Sequence, residues 1–295
     1  METQSSDIRR KNFAGLPEEN TLKPIQLLNN ICEEVREKKK ELWILLQDTA
    51  KAFDTVNLEM LERALDRIKI HKKATKLIIY LFKDREVRAI TKNGLTNPVK
   101  AGDGIDQGET ISPLLWRIFY DPLLCKIQEN QEFGYKMECT WRPNLQTSEE
   151  KTMQLRNATI AFMDDTTWMA KSKENLQNIL DEAREFYKAN DSQINNDKLV
   201  LIVINGEKGK PKLVQAGFNK ELVIALDNKE TARFLGIWIG CKDYKKAAIN
   251  KIKQDIDKIV TVLKGKKAME KQVLYIFNKV LLSRIEYKIR HCHLT

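Results

Sequence analysis

The chain has 295 residues, of which 42% are hydrophobic and 31% charged, with only 12 glycines and 7 prolines. This composition excludes a collagen-like or wholly disordered protein, and the length is enough for about two domains whose cores need no disulfide or structural metal. The formal net charge is +10, and residues 241–295 hold 14 Lys or Arg against 5 Asp or Glu. A near-neutral body followed by a cationic segment indicates a polyanionic partner such as nucleic acid, with a solvated lysine-rich helix as the alternative.

Targeting and membrane signals are missing from this sequence. No apolar run approaches the ~20 residues needed to cross a bilayer, and the polar start has no secretory signal. The five cysteines are odd in number and lack CxxC spacing. We therefore expect an intracellular protein, nuclear or cytoplasmic, with no membrane contact, no disulfides and no zinc site. The oligomeric state stays open.

The first half of the chain mixes predicted helices and strands. Apolar spacing and turn signals predict, in chain order, a helix from Leu22, a buried strand over 42–46, a helix capped by Asn57, a helix over 74–82, a hairpin over 87–99 turning at Asn93-Gly94, and a helix that begins at Ser112-Pro113. Residues 139–153 have no clear period, so we expect a loop there.

The second half begins with two apolar strands, 159–163 and 167–170, which flank Asp164 and Asp165 and predict a hairpin with an acidic tip. The further predicted elements are a helix capped by Ser172, strands over 199–204, 212–214, 222–225 and 233–239, and basic helices over 244–290. The expected fold class is therefore α+β up to about residue 240 and all-α beyond it.

Three carboxylates stand where acidic side chains are costly. Asp48 follows the apolar strand 42–46, and Asp164 and Asp165 lie side by side between two apolar strands. Carboxylates held close together repel unless a cation offsets their charge, and Mg²⁺ prefers oxygen ligands of this kind. The pattern predicts a magnesium site, with plain turn chemistry as the alternative because Asp favours turns.

The order and spacing of several sequence blocks carry a family resemblance. LLQDTAKAFDTVN (45–57), GIDQGETISPLL (104–115) and IAFMDDTTWMA (160–170) resemble motifs A, B and C of reverse transcriptases, and KAFDTVN is similar to the non-LTR, LINE-type retrotransposon class. NFAGLPEENTLKPI (12–25), INNDKLVLI (194–202) and RFLGIWI (233–239) resemble the fingers block, motif D and motif E of that class. The resemblance implies a right-hand polymerase, with partial fingers and a palm of antiparallel sheet and packed helices over 1–240, and an all-α, basic, thumb-like segment over 241–295.

The resemblance also implies a catalytic set. Asp48, Asp164 and Asp165 would hold two Mg²⁺ ions. In the implied reaction, the 3′-hydroxyl of a DNA primer paired to an RNA template would attack the α-phosphorus of a dNTP, and pyrophosphate would leave. Lys198 is similar to the motif D lysine, a general acid toward pyrophosphate, although it could equally be one of many solvated lysines.

Motifs A and B imply nucleotide contacts. Phe53 is similar to the aromatic steric gate that crowds a ribose 2′-hydroxyl, with core packing as its alternative. Gln107 and Gly108 are similar to the motif B pair that lines the nucleotide site. Asp106 stands where motif B often has Arg, so contacts near it are not assigned.

The cationic segment and the short start leave other functions open. By resemblance, the thumb-like segment would follow a nucleic-acid duplex through basic side chains; the candidates are Tyr244, Lys245, Lys246, Lys251, Lys253, Lys264, Lys266 and Lys267. Because little sequence precedes the fingers block, we expect a piece of a larger open reading frame. A truncated, inactive relic that only binds nucleic acid is the main alternative, and a group II intron-type maturase is a third.

Overall fold

The structure, a computed structural model, describes residues 12–15, 20–142, 150–217, 219–242 and 244–290. The helices are α1 Leu22–Glu37, α2 Leu58–Arg67, α3 Lys72–Phe82, α4 Ser112–Glu129, α5 Lys173–Ala189, α6 Tyr244–Lys264, α7 Glu270–Ile276 and α8 Leu282–Arg290. The strands are β1 Leu42–Gln47, β2 Thr49–Ala50, β3 Arg85–Val87, β4 Ile90–Thr91, β5 Gly94–Leu95, β6 Val99–Ala101, β7 Tyr135–Trp141, β8 Lys151–Asn157, β9 Thr159–Phe162, β10 Asp165–Ala170, β11 Gln193–Ile194, β12 Val200–Ile204, β13 Leu213–Ala216, β14 Glu221–Ile224, β15 Ala232–Phe234 and β16 Ile237–Ile239. A 3₁₀ turn at Asn196–Lys198 precedes β12, and a π-helical turn at Phe277–Leu281 joins α7 to α8.

A four-stranded antiparallel sheet, in the order β12-β1-β10-β9, forms the centre of the molecule. All six residues of β1 are buried, because neighbours cover both faces of the strand and both of its edges are paired. Trp43 lies opposite Ala170 at one end of the β1–β10 pair, and Gln47 lies opposite Thr166 at the other. This register decides which side chains meet at the far end of the sheet.

The sheet separates two hydrophobic cores, and alternate side chains of β1 point into one or the other. Trp43 and Leu45 point into one core with residues of α2, α4 and α5. Ile44 and Leu46 point into the other, with residues of α1 and of the β15–β16 hairpin. Because β1 is buried on both faces, its sequence is a nearly continuous apolar run. The α+β class predicted for this part of the chain is confirmed.

The C-terminal helices pack on the β15–β16 hairpin. A small apolar cluster of Tyr244, Ala248 and Ile252 on α6 contacts Trp238. The Tyr287 hydroxyl on α8 donates to the carbonyl oxygen of Leu235 at 2.7 Å. The segment from α6 to α8 is helical throughout its regular elements, as the sequence predicts.

Two of the predicted elements are wrong. Residues 139–153 are not simply a loop, since β7 pairs with β8 from Tyr135↔Asn157 to Trp141↔Lys151; residues 143–149 lie outside the described part. Most of this ribbon is exposed, so its pairing rests on backbone hydrogen bonds and leaves a weak hydrophobic pattern. The single strand predicted over 233–239 is a hairpin, because Leu235 and Gly236 take positive φ values of 44° and 87° and reverse the chain.

Two structural observations concern membrane-spanning helices and cysteine pairing. Among the described residues, no helix combines the length and the apolar character needed to cross a membrane. The four described cysteines, Cys32, Cys125, Cys139 and Cys241, are free thiols.

Candidate active site

The register of the central sheet brings the three acidic residues to one edge. Gln47 and Thr166 are the last opposed pair of β1 and β10, so Asp48 and Asp165 follow at the same end of the two strands. Asp164 occupies the turn just before β10, and the Thr49 hydroxyl donates to its carbonyl oxygen at 3.4 Å. Residues 116 positions apart in sequence thus share one site.

The turn that carries Asp164 is held by a residue from the start of the described chain. Met163 has a positive φ of 55°, which the β9–β10 turn requires. The buried Asn12 side chain accepts from the Met163 amide at 3.2 Å and donates to its carbonyl oxygen at 3.4 Å. Sequence reasoning missed this role; the only signal was that Asn12 begins the fingers block.

Two adjoining clefts open on the acidic edge. The larger has a volume of about 820 Å³, and its lining includes Asp48, Phe53, Gln107, Asp164 and Lys198. The smaller, about 500 Å³, is lined by Asp165 and by the turn of the β15–β16 hairpin, and it shares Asp48 and Lys198 with the first. The structure therefore gathers five of the seven predicted site residues in one cleft and a sixth, Asp165, in its neighbour.

The acidic edge has an unfavourable charge balance. The pKa of Asp165 is raised to about 6, chiefly by loss of hydration in the cleft and then by the charges of Asp164 and Asp48. Loss of hydration, followed by the charge of Asp48, also raises the pKa of Asp164. Carboxyls whose ionisation is opposed in this way favour a bound cation.

Lys198 supplies a cation from within the chain. Its Nζ donates to Asp48 Oδ2 at 2.9 Å, with 60% of the lysine side chain and 20% of the aspartate side chain exposed. This hydrogen bond and charge pairing raise the pKa of Lys198. The Asn195 side-chain amide nitrogen also donates to Asp48 Oδ2, at 3.4 Å, and the Asn195 backbone N–H donates to the Asp48 carbonyl oxygen at 3.0 Å.

Asn195 is a second residue that sequence reasoning missed. Its backbone and side chain both bond to Asp48, and the preceding β11 pairs with β2 just after Asp48. It stands in the motif D block three positions before Lys198. A polar residue next to a predicted catalytic lysine was the available signal.

The donor set fits Mg²⁺ by its chemistry, although the side chains do not form a finished metal site. Among the described residues, no three His, Cys, Asp or Glu side chains are grouped as a metal ion would need. One oxygen of Asp48 is held by Lys198. The carboxylate oxygens, their mutual repulsion and the open cleft are nonetheless what a hard divalent cation requires. A cation held by Asp48 would share this carboxylate, or compete for it, with the Lys198 ammonium group.

Phe53 and Gln107 both line the larger cleft. The half-buried Phe53 ring packs 5.8 Å from the Trp116 ring and also lines the cleft. The Ile105 amide donates to the Phe53 carbonyl at 2.9 Å, which ties the backbone after Asp48 to the segment that leads into Gln107. Gly108 follows with a φ of 107° in open space and is not part of the cleft lining.

Asp106, the unusual residue of motif B, pairs with Arg85. The same guanidinium donates to the Gly104 carbonyl at 2.9 Å and lies over the Phe82 ring, 5.3 Å from its centroid. Arg85 at the start of β3 thus connects β3 to the motif B segment through its side chain. No feature of the local sequence predicted this contact.

One predicted nucleic-acid contact in the cationic segment is wrong. Tyr244 is buried, and the Arg36 guanidinium lies 5.4 Å from its ring centroid, so the ring is part of the interior. Lys251 is half-buried, with its Nζ 4.0 Å from the Trp238 ring centroid, and Lys245 is also half-buried. The other candidates, Lys246, Lys253, Lys264, Lys266 and Lys267, are exposed.

The chain matches one family along most of its length. The family described as "Reverse transcriptase (RNA-dependent DNA polymerase)" matches residues 7–239. The Retrovirus-related Pol polyprotein from type-1 retrotransposable element R2 of Popillia japonica is 26% identical over 247 residues, which are 81% of this chain and 32% of the relative. The R2 polyprotein of Nasonia vitripennis is 27% identical over 173 residues, 58% of this chain and 15% of the relative. The chain spans about a third or less of these relatives.

Telomerases are among the solved structures with a similar course of the chain. The telomerase of Candida tropicalis in complex with the TWJ fragment of telomeric RNA gives a TM-score of 0.48 at 16% identity, over 78% of this chain and 36% of that chain. The corresponding Candida albicans structure gives 0.47 at 11% identity, over 95% and 45%. Because the family match covers well over half of the chain, the chain belongs to the reverse transcriptase family, whose members are nucleotidyltransferases.

Proposed function

We propose that this domain is an active RNA-directed DNA polymerase that extends a primer with dNTPs by two-metal catalysis. One observation carries the proposal: the β1–β10 register places Asp48 and Asp164 in one cleft with Phe53, Gln107 and Lys198. Carboxylates, a cationic side chain and a nucleotide-sized space are the parts that phosphoryl transfer needs.

Asp48, Asp164 and Asp165 are the residues that would hold two Mg²⁺ ions. When bound, such ions activate an attacking oxygen and neutralise charge on the reacting phosphates. Asp164 and Asp165 favour a cation because their ionisation is opposed by burial and by each other. Asp48 would contribute its carboxylate oxygens to these ions, and one of those oxygens now accepts from Lys198.

Lys198 acts as the proton donor toward pyrophosphate in this proposal. Its pKa is raised by the hydrogen bond to Asp48, so the ammonium group stays protonated at neutral pH. Once released from Asp48, the exposed side chain can turn toward the larger cleft, which it lines. A general acid within reach of the leaving group increases the rate of such a reaction by roughly 10²–10⁴-fold.

Phe53 and Gln107 select the nucleotide. Phe53 is held by the Trp116 ring and by the bond between its carbonyl and the Ile105 amide, so its ring cannot move freely away from a ribose 2′-hydroxyl. The Gln107 side chain lines the same cleft, where its amide could bond to the sugar or the base. A rigid aromatic wall favours dNTPs over rNTPs by sterics alone.

The template and primer are proposed to lie against the cationic segment. Its exposed lysines from α6 and the α6–α7 connection carry most of the excess positive charge of the chain. Phosphate contacts by such side chains hold a duplex without reading its sequence. The partners are therefore an RNA template and a DNA primer.

Primer extension with one acidic residue changed tests the proposal. The wild-type chain with Mg²⁺, dNTPs and a primed RNA template should extend the primer, and Asp164→Asn should reduce extension at least about 10³-fold because it removes a metal ligand. Asp66→Asn, at an exposed position on α2, is the matched control and should extend normally. Extension that survives Asp164→Asn would contradict the metal assignment.

A domain that binds nucleic acid but does not polymerise is the second candidate. The observation that favours it is the engagement of Asp48 by Lys198, together with the lack of a ready group of three metal ligands among the described residues. Salt-sensitive RNA binding by the wild-type chain with no extension, at any Mg²⁺ or Mn²⁺ concentration, would support it.

A further inference from the structure

Beneath the acidic edge, four buried polar side chains form a hydrogen-bonded network. Gln47 Nε2 donates to the Tyr187 hydroxyl at 2.6 Å, the Tyr187 and Tyr120 hydroxyl oxygens are 2.5 Å apart, and Tyr120 OH is 3.0 Å from Thr166 Oγ1. The four residues are at most 4% exposed. We call them the Gln47–Thr166 network.

The orientation of the Gln47 amide is fixed by a fifth buried residue. The Trp168 indole nitrogen donates to Gln47 Oε1 at 3.1 Å. Because an indole N–H can only donate, the amide oxygen must face Trp168 and the amide NH₂ must face Tyr187. Gln47 therefore has one hydrogen-bonding arrangement, and its side chain is locked.

The network connects four elements around the strand ends that carry the acids. Gln47 is on β1, Thr166 on β10, Tyr120 on α4 and Tyr187 on α5. Its two ends, Gln47 and Thr166, are directly opposed in the sheet register. The chain of hydrogen bonds thus closes a ring with the β1–β10 pair, one residue away from both Asp48 and Asp165.

Four polar side chains are costly to bury in a core of this kind. The surrounding core is apolar and aromatic, with the Tyr120 ring stacked on Trp116 at 5.4 Å and both tyrosines against Phe186. Burial raises the pKa of Tyr187 to about 12 and that of Tyr120 well above its usual value, so both hydroxyls stay protonated. Buried polar groups are costly when unpaired, and a fully bonded network gives rigidity in return.

We propose that the Gln47–Thr166 network is a positioning device that holds the ends of β1 and β10 at a fixed separation against the repulsion of Asp48 and Asp165. Its members touch neither substrate nor metal; they act through the backbone of the adjacent acids. Groups that orient metal ligands from behind typically change metal affinity or activity about 10–100-fold when removed. The proposal rests on the proposed function, since it assumes that the acids bind a divalent cation.

Divalent-cation binding without turnover tests the proposal. Mn²⁺ binding to the full chain, without primer or nucleotide, is followed by the electron paramagnetic resonance signal of free Mn²⁺. Tyr187→Phe and Thr166→Val each remove one hydroxyl and keep the shape of the side chain. Both should weaken Mn²⁺ binding about tenfold, and Asp164→Asn identifies the binding as that of the acidic edge by abolishing it.

Trp43→Phe is the matched control. Trp43 is on the same strand and in the same core, four positions before Gln47, and its indole donates to Glu41 at 2.7 Å. The substitution should lower the melting temperature through lost packing but leave Mn²⁺ affinity unchanged. This control separates general loosening of the core from loss of positioning.

The outcomes divide cleanly. Unchanged Mn²⁺ affinity in Tyr187→Phe and Thr166→Val, or equal weakening in Trp43→Phe, would overturn the positioning role. A wild-type chain that binds Mn²⁺ at the acidic edge but extends no primer would overturn the polymerase proposal alone, and the variant comparison would still decide the positioning role. A wild-type chain with no Mn²⁺ affinity would overturn both.

Discussion

Asp165 is the acidic residue whose ionisation the folded structure opposes most strongly. Its carboxyl is exposed at one edge, yet its pKa is raised to about 6 by loss of hydration and by the neighbouring acids. An unfolded aspartate titrates near 3.8. The folded chain therefore binds more protons than the unfolded chain between these two pH values, so this group stabilises the fold at low pH and the stabilisation is lost as pH rises from about 4 to about 6.

Asp165→Asn should raise the melting temperature at pH 7.5 in the absence of divalent cations. The expected gain is about 2 °C, a small value because solvent screens an exposed carboxylate. The gain should disappear toward pH 3, below the unfolded pKa of 3.8, where Asp165 is largely protonated in both folded and unfolded chains. Thermal unfolding at the two pH values, followed by circular dichroism, measures the difference. An equal or lower melting temperature for the variant at pH 7.5 would contradict the charge conflict.

Added Mg²⁺ gives the complementary control for the same residue. The cation binds ionised carboxylates, so it should raise the melting temperature of the wild-type chain at pH 7.5 more than that of Asp165→Asn. The asparagine variant is already relieved of the repulsion and offers one ligand fewer. An identical Mg²⁺ response in the two proteins would place the bound cation elsewhere.

At the scale of elements, local signals predicted most of the fold. Asn57 and Ser172 begin helices as their side chains predict, since each accepts from a backbone amide three residues on. The acidic hairpin also followed from sequence, because two apolar runs flank a polar turn. The β7–β8 ribbon did not, because exposed strands paired mainly through their backbones carry little side-chain pattern.

Long-range contacts of the site were beyond local signals. The Lys198–Asp48 bond joins residues 150 positions apart, and the Asn12–Met163 bonds join residues 151 positions apart. Which acids and which lysine belong together was predictable only through the family resemblance. The network behind them, from Gln47 to Thr166, was not predicted at all, since each member alone reads as an ordinary core or strand residue.

Removal of the α5 cap gives the prediction at this scale. Ser172→Ala removes the hydroxyl that accepts from the Asn175 amide at 3.2 Å, and should reduce the free energy of unfolding by about 1 kcal/mol. Ser172→Asp keeps an acceptor at the helix start and should stay near the wild type. Urea unfolding midpoints measure both variants. If the alanine and aspartate variants unfold alike, the cap does not contribute as the structure indicates.

The whole molecule joins a near-neutral α+β body to a cationic helical segment. The segment contacts the body through Tyr287, which donates to the Leu235 carbonyl, and through Cys241, whose carbonyl accepts from the Arg36 guanidinium at 3.2 Å. The exposed lysines of this segment include Lys246, Lys253, Lys264, Lys266 and Lys267. This division of charge suits a polymerase that binds its duplex electrostatically and confines its chemistry to the acidic edge.

Salt dependence of RNA–DNA duplex binding tests this arrangement. Each lysine that contacts a phosphate adds roughly one unit to the slope of log Kd against log salt concentration. A Lys266→Gln, Lys267→Gln double variant should lower that slope by one to two units, roughly, and weaken binding to all duplex sequences alike. The matched double variant Lys173→Gln, Lys188→Gln changes two exposed lysines of α5 and should retain the slope. Equal slopes for all three proteins would remove the cationic segment from the duplex site.

The most direct measurement of the central claim is the position of bound divalent cations. Crystals of the chain with a primed RNA template and Mn²⁺, measured by anomalous scattering, should show two peaks between Asp48 and Asp164, with Lys198 Nζ displaced from Asp48. No peak within bonding distance of these two carboxylates, with the Lys198–Asp48 bond intact, would contradict the account.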